Sequence, residues 1–338
     1  MAEFIEPMLC KAVNMTQFKI GNWYDYIAQL KIDGWRAIVT KSGSDVAIYS
    51  RTGKDRAGHL PHLVNAFQKY LPDGIYDGEV VFMNPENGVV LEDQFIPDMS
   101  FNKTARIMGS SEAVSLRKQK TFAGQGAIYF VMFDILEDGG GPFLDSDMLT
   151  RSKIVKDVAD HVPYVISAPM WEIYDMYNLL DAKTRHVELF NSVVDNRLEG
   201  LVLKNVYGKY VPGGRPSNNQ YKIKAEKFFD VVVSGYTWAK EGKFEGLIGA
   251  LKFGVYDDKF DFIEIGQTSG MNDTERFMWT QYLTTKSDTP PRLRVIEIKC
   301  NDLTDKNETG YGTPRHPQYV RLRDDKKPQD CRLSQFKI

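Results

Sequence analysis

The sequence predicts an α+β chain in two domains: residues 1–226 as sheets with flanking helices, and residues 227–338 as an all-β domain. Three observations predict it. The first half is rich in short β-branched and aromatic runs separated by turn residues. Two stretches between residues 148 and 194 place apolar residues at helical spacing. After Lys224 the pattern changes to five short strands with one helix among them.

The elements follow in order. Residues 26–30 form an alternating apolar run that ends at Lys31. Residues 36–40, 46–50 and 78–82 read as strands, and the continuous apolar run 127–133 reads as a buried strand. Residues 148–162 and 176–194 read as helices, and residues 199–206 return to strand. Residues 92–126 differ: they are polar, with Pro97, Gly109, Gly124 and Gly126, and carry Lys103, Arg106, Arg117, Lys118 and Lys120. A loop of this length inside a domain reads either as a solvated insertion or as a segment contacting nucleic acid. The second block has strands at 230–235, 249–253, 260–265, 294–299 and 319–323, with a helix at 273–284. Five strands with one helix suggest a small Greek-key barrel of the OB type. The boundary falls near residues 225–228.

A chain of 338 residues can bury a core that needs no covalent staples. Charged residues at 26% and hydrophobic residues at 42% are ordinary for a globular protein. Cys10, Cys300 and Cys331 have neither metal-ligand spacing nor the look of a disulfide framework, which points to a reducing cytoplasm. No signal peptide is evident, and no apolar run approaches the ~20 residues of a membrane span. The net charge of −2 argues against a protein coated in nucleic acid but allows a local basic groove.

The chemistry centres on Lys31-Ile-Asp33-Gly34-Trp-Arg36, where an amine leaves a strand beside an acid, a glycine and an arginine. By itself this is also what a strand end and turn look like. Lysine attacks only as the free amine, so a nucleophilic lysine needs nearby cations or desolvation. Lys222 and Lys224, two apart on a strand, would share a face and supply cations; an ordinary basic edge strand looks the same. Asp77-Gly78-Glu79 and Glu199-Gly200 each put a glutamate at the start of an apolar strand, either as magnesium ligands or merely as turns. Arg51 sits beside Gly53 at a strand end, a plausible phosphate contact. Phe133 closes the buried strand, as a base-stacking ring or as core. Near the C-terminus, Arg323-Asp-Asp-Lys326 lies in a dense basic cluster.

Taken in order, these segments resemble the covalent lysyl-nucleotidyltransferases, and within them the small ATP-dependent DNA ligases of phages and viruses. Lys31-x-Asp33-Gly34-x-Arg36 is similar to the nucleophile motif. Ser50-Arg51-x-Gly53, Asp77-Gly78-Glu79, Phe133-Asp134-x-Leu136, Glu199-Gly200-Leu-Val-Leu-Lys204 and Lys222-x-Lys224 match the next five, and Arg323-Asp-Asp-Lys326 the last. Two positions depart from the pattern. Gln29 stands where a glutamate often contacts the adenine amino group, and Gln220-Tyr221 where a tryptophan is common.

The resemblance implies an adenylation domain followed by an OB domain, sealing nicks in double-stranded DNA with ATP and Mg2+. It implies a cytoplasmic monomer (in the host cytosol if viral) with no membrane association. Lys31 would be the AMP-bearing nucleophile. Gln29, Arg36, Arg51, Phe133 and Lys204 would bind the nucleotide. Glu79 and Glu199 would hold metal or ribose. Lys222 and Lys224 would neutralise phosphate charge, and Arg323 and Lys326 would orient the leaving pyrophosphate. The alternatives in the same superfamily are an mRNA-capping guanylyltransferase or an RNA ligase; a catalytically silent nick-binding protein is the alternative from another class. NAD+-dependent ligases are longer and carry a four-cysteine zinc site that three scattered cysteines do not supply.

Overall fold

The computed structural model describes residues 4–15, 18–172, 181–240, 242–285, 294–301, 303–304 and 310–337. Two compact units emerge, Met1–Lys224 and Ala225–Ile338. The first runs β1 (Lys11–Ala12), β2 (Tyr26–Leu30), β3 (Trp35–Ser42), β4 (Asp45–Ser50), α1 (Pro61–Tyr70), β5 (Gly74–Leu91), β6 (Gln94–Ser100), α2 (Phe101–Met108) and α3 (Glu112–Phe122). It continues through β7 (Ala127–Asp138), β8 (Gly141–Pro142), α4 (Met148–Ala159), β9 (Val165–Ser167), β10 (Met170–Trp171), α5 (Ala182–Asp195), β11 (Gly200–Asn205) and β12 (Gln220–Lys224).

These strands make two sheets. One has the order β1-β12-β11-β2-β10; the other has β4-β3-β5-β7-β8, with β6 added to β5 and β9 to β7. Side chains alternate across a strand, and β5 uses both faces. Val80 and Phe82 enter one core with Leu63 and Phe67 of α1, while Val81 and Met83 enter another with Ala28, Leu30, Leu201 and Leu203 of the facing sheet. The run 127–133 divides likewise: Phe130 and Met132 go one way and Val131 the other. A strand buried on both faces has no polar alternation, which explains the continuous apolar run.

Residues 92–126 are not the long loop expected from their polarity. They fold as β6, α2 and α3. The Ser100 hydroxyl caps α2 by accepting from the Lys103 N–H at 3.3 Å, and the helix buries Thr104, Ile107 and Met108. So few apolar residues suffice because α2 needs only one narrow buried stripe. α4 and α5 start at aspartate caps: Asp147 accepts from Thr150 and Asp181 from Thr184. The expected helix from 176 is thus α5, and residues 176–180 lie outside the described residues.

The second unit carries β13 (Lys227–Trp238), β14 (Ile248–Tyr256), β15 (Phe262–Thr268), α6 (Asp273–Thr284), β16 (Val295–Cys300) and β17 (Gln318–Leu322). The sheet order is β15-β14-β13-β16-β17. Beyond the end of β15, Ser269 makes a parallel bridge to Gln318 of β17, and the Tyr319 N–H donates to the Ser269 carbonyl at 2.8 Å. Asn272 and Glu275 form a capping box on α6, whose Trp279 is buried in the core with Phe253 and Ile298. All three cysteines are free. Among the described residues no helix is long and apolar enough to cross a membrane.

One ion pair fastens β7 to α4. Arg151 donates to both Asp134 oxygens, at 2.6 and 3.3 Å, and to the carbonyls of Gly208 and Ser146. Both side chains are almost fully buried. Removing one partner strands a buried charge, so Arg151→Ala should lower unfolding free energy by about 3–5 kcal/mol. Urea denaturation measures it, and a loss well under 1 kcal/mol, the size of an exposed pair, would show that the pair is not a buried strut.

Candidate active site

The site begins where β2 ends. The Lys31 N–H donates to the Gly200 carbonyl at 3.0 Å, fastening the lysine to the start of β11. Gly200 has φ +142°, and a Cβ there would lie 2.1 Å from the Ile223 carbonyl of β12. Only glycine fits, so Glu199 is held at the mouth of the sheet. Its two oxygens each meet an ammonium: Lys31 Nζ at 2.7 Å and Lys224 Nζ at 2.7 Å. Across the site, Glu79 accepts the Gly34 N–H at 2.8 Å. A Cβ on Gly34 would stand 2.8 Å from the Val80 carbonyl, so the turn after the lysine also requires glycine.

Behind the lysine lies a floor of paired charge. Arg36 donates from Nε and Nη2 to Asp77 at 2.6 and 2.5 Å, and from Nη2 to the Met8 carbonyl at 3.2 Å. Asp77 is fully buried and also accepts from the Tyr210 hydroxyl at 2.7 Å. The Arg36 guanidinium lies 4.7 Å from the centre of the Phe133 ring. Lys204 Nζ lies 5.1 Å from the same centre and donates to the Phe133 carbonyl at 3.0 Å.

A cavity of about 200 Å³ joins these groups. Gln29, Lys31, Arg36, Arg51, Glu79, Phe133, Lys204 and Lys222 line it; Glu199 joins through its ion pair with Lys31, and Lys224 through its ion pair with Glu199. Cys10, Arg215 and Gln220 also line it, and sequence reasoning gave them no role. Arg215 lies in a Gly-Gly-Arg-Pro turn that could have drawn attention, whereas nothing in the sequence marks Cys10. Lys103, Arg106, Arg117, Lys118 and Lys120 sit on α2 and α3 and do not line the cavity. Arg323 and Lys326 follow β17 in the second unit. Arg323 is ion-paired to Asp230, Glu297 and Asp325, and Lys326 to Asp230.

The electrostatics correct one expectation. Burial acts to lower the Lys31 pKa, but Glu199, Glu79 and Asp33 outweigh it and hold the ammonium above its ordinary value. The neighbouring lysines do not win this balance: Lys224 itself sits on Glu199, one of the carboxylates that hold the Lys31 ammonium. Lys222 and Lys204 are lowered, both chiefly by burial. Glu79 is pushed up to about 7 by burial, with Lys31 and Arg36 opposing. Among the described residues no three His, Cys, Asp or Glu side chains gather as a metal site.

Residues 7–224 match the family described as "ATP dependent DNA ligase domain", well over half of the chain. The chain belongs to the ATP-dependent DNA ligase family. The DNA ligase of Monkeypox virus is 26% identical over 95% of this chain and 59% of its own length. DNA ligase C1 of Mycolicibacterium smegmatis is 25% identical, covering 98% of this chain and 93% of the relative. The DNA ligase of Methanocorpusculum labreanum is 30% identical over 88% of this chain and 52% of its own length. The chain thus spans little more than half the length of two of these relatives. A solved structure described as "DNA binding with a minimal scaffold: Structure-function analysis of Lig E DNA ligases" shares the fold, with TM-score 0.62, 20% identity, and coverage of 95% of this chain and 100% of that one.

The Glu79 shift makes a measurable prediction. A carboxyl whose folded pKa is raised above its ordinary 4.5 stabilises the fold below about pH 4.5 and loses that contribution as pH rises through about 7. Glu79→Gln should therefore reduce the fall in melting temperature between those pH values. An identical pH dependence in wild type and variant would show that Glu79 titrates normally.

Proposed function

We propose that the chain seals nicks in double-stranded DNA with ATP, through an AMP carried on Lys31. The observation that carries the proposal is an amine lining a cavity with Arg36, Arg51, Lys222 and Arg215, with Glu79 and Glu199 beside it. Such a set suits an anionic nucleotide and a nucleophile, in a chain of the ATP-dependent ligase family.

In the first step the Lys31 amine attacks the α-phosphate of ATP. An N–P bond forms, the bond to the bridging oxygen breaks, pyrophosphate leaves with its electron pair, and the amine loses its proton. Lys31 begins as an ammonium on Glu199, so one proton must leave to solvent before the attack, in addition to the one lost as the N–P bond forms, and any group that draws on Glu199 favours that first loss. AMP then passes to the 5′-phosphate of the nick, and the 3′-hydroxyl displaces it. Phe133 offers a ring for the adenine, Gln29 an amide for the base edge, and Arg36, Arg51 and Lys204 contacts to ribose and phosphate. Lys222 and Lys224 face charge that grows on phosphate, where preorganised cations contribute most. Magnesium would take one or two carboxylates together with substrate oxygens, which fits Glu79 and Glu199, and would offset phosphate charge.

The second unit we read as an OB barrel. Three features support this: a helix between the third and fourth strands, the strand order 3-2-1-4-5, and the parallel Ser269–Gln318 bridge joining its outer strands. Its Arg323 and Lys326 would orient the leaving pyrophosphate, and the adenylation domain would give way to it near residue 226, where the sequence pattern changes. A guanylyltransferase remains the rival in the superfamily, and the Arg-x-Asp-Lys ending favours the ligase.

Incubation with α-labelled ATP, GTP or NAD+ tests the reading: label should come from ATP alone. Lys31→Ala and Lys31→Arg should abolish labelling, since a guanidinium stays protonated, yet still seal a pre-adenylated nick. A covalent AMP adduct on Lys31→Ala would refute the assignment.

α2 and α3 make a cationic surface. Arg106, Arg117 and Lys120 are exposed. Lys118 caps the end of α2 through the Arg106 carbonyl at 2.7 Å, and Lys103 stands 4.9 Å from the Phe82 ring. Neutralising these five side chains should weaken nick binding and flatten its salt dependence by about 0.9 per lost phosphate contact. Labelling by ATP should persist. An unchanged salt slope would make the surface passive.

A further inference from the structure

The second unit places two carboxylates where a sheet built for stability alone would avoid them. Asp230 on β13 lies directly opposite Glu297 on β16, and Glu297 lies opposite Arg321 on β17. Like charges facing across neighbouring strands destabilise a sheet unless a cation bridges them. The bridge is Arg323, one residue past β17. Its Nη1 reaches Asp230 at 2.7 Å and Glu297 at 3.4 Å, while Nε and Nη2 grip Asp325, each at 2.8 Å. Asp230 also meets Lys326 Nζ at 3.6 Å through its second oxygen. One carboxylate, only 22% exposed, therefore touches both terminal cations.

We infer that Asp230 is a positioning residue that holds Arg323 and Lys326 as one unit for the departure of pyrophosphate. The inference rests on the role proposed above for those two cations. The geometry argues for it in three ways. The Arg323 N–H donates to the Val295 carbonyl at 2.9 Å, so the backbone at this point is already fixed by the sheet. Three carboxylates surround Arg323, and its side chain is only 12% exposed, so its orientation is set by partners and not by solvent. Lys326 is more exposed, at 40%, and Asp230 is the acid it meets. A flexible ammonium tethered at one oxygen can turn toward a polyanion without losing its place. Asp230 thus links a cation enclosed by carboxylates to a more exposed one.

The test is Asp230→Asn in the full chain, read in separate assays. Formation of the protein–AMP adduct from ATP should slow by about 10- to 100-fold, as misplaced groups do, with the loss in kcat more than in KM for ATP. Discharge of the adduct by added pyrophosphate should slow in parallel. Sealing of a pre-adenylated nick should be unchanged, and Asp230→Glu should restore much of the adenylation rate. Equal losses in adenylation and sealing would mean a structural or DNA-binding role and would overturn the inference. Faster adenylation would overturn it too, because Asp230 would then be a restraint. Glu297→Gln keeps the Asp230 contacts and should cost much less; a loss as large as that of Asp230→Asn would overturn the assignment even if Asp230→Asn did not fold. Arg323→Ala and Lys326→Ala separate the two layers. If neither slows adenylation, the role of the cations fails; if they slow it and Asp230→Asn does not, the positioning role fails.

Discussion

Glu199 stands between two ammonium groups, and the geometry of the site follows from how it is held. Its neighbour Gly200 lies against the Ile223 carbonyl so closely that no side chain fits. β11 pairs with β2 on one side and β12 on the other, with Leu201 opposite both Leu30 and Ile223. That register brings Lys31 from one neighbour and Lys224 from the other to the same carboxylate. A slip of one residue would turn each side chain to the opposite face. The ion pairs are therefore a product of strand register, and the register is fixed by the core residues that alternate with them.

Beneath the cavity the protein buries charge in pairs. Asp77 takes Arg36 and Tyr210; Asp134 takes Arg151. Pairs of this kind seldom add stability over an apolar replacement, because desolvation offsets the attraction. What they provide here is position. Arg36 is clamped at two atoms and lies near the Phe133 ring, and Lys204 holds the Phe133 carbonyl from within the protein. A ring framed by fixed cations keeps one orientation.

Much of this was legible in the sequence, for definite reasons. Several motif residues lie near glycines, Lys31 by Gly34, Glu79 by Gly78 and Glu199 by Gly200, and at each of these glycines a neighbouring carbonyl leaves no room for a side chain, so the pattern Lys-x-Asp-Gly or Glu-Gly carries geometry. Short runs of β-branched and aromatic residues located the strands that deliver them. The helices α2 and α3 were hidden because α2 buries a narrow stripe and α3 buries only Ser115. Cys10 was hidden because β1 joins β12 over a span of two residues, with Lys11 opposite Tyr221, and a long-range pairing so short leaves no periodic trace. The sign of the Lys31 shift was hidden too. Two lysines near a nucleophile suggest a depressed pKa, but the outcome depends on which carboxylate each cation meets.

That dependence bears on how cations act in both units. Lys224 is neutralised on Glu199, and Arg323 on Asp230, Glu297 and Asp325. A cation already held by carboxylates attracts a passing monoanion weakly, since the pair is close to neutral from outside. It is nonetheless fixed in place, so it need not reorganise when charge develops beside it, and fixed charges are where electrostatic stabilisation is greatest. A ligand must then compete with carboxylates for each cation. A polyanion does so at several points at once, whereas a single phosphate or an exposed carboxylate does so at one. Carboxylate-bound cations thus favour a polyanion over simpler anions, with selectivity arising from pairs that would add little if their purpose were stability.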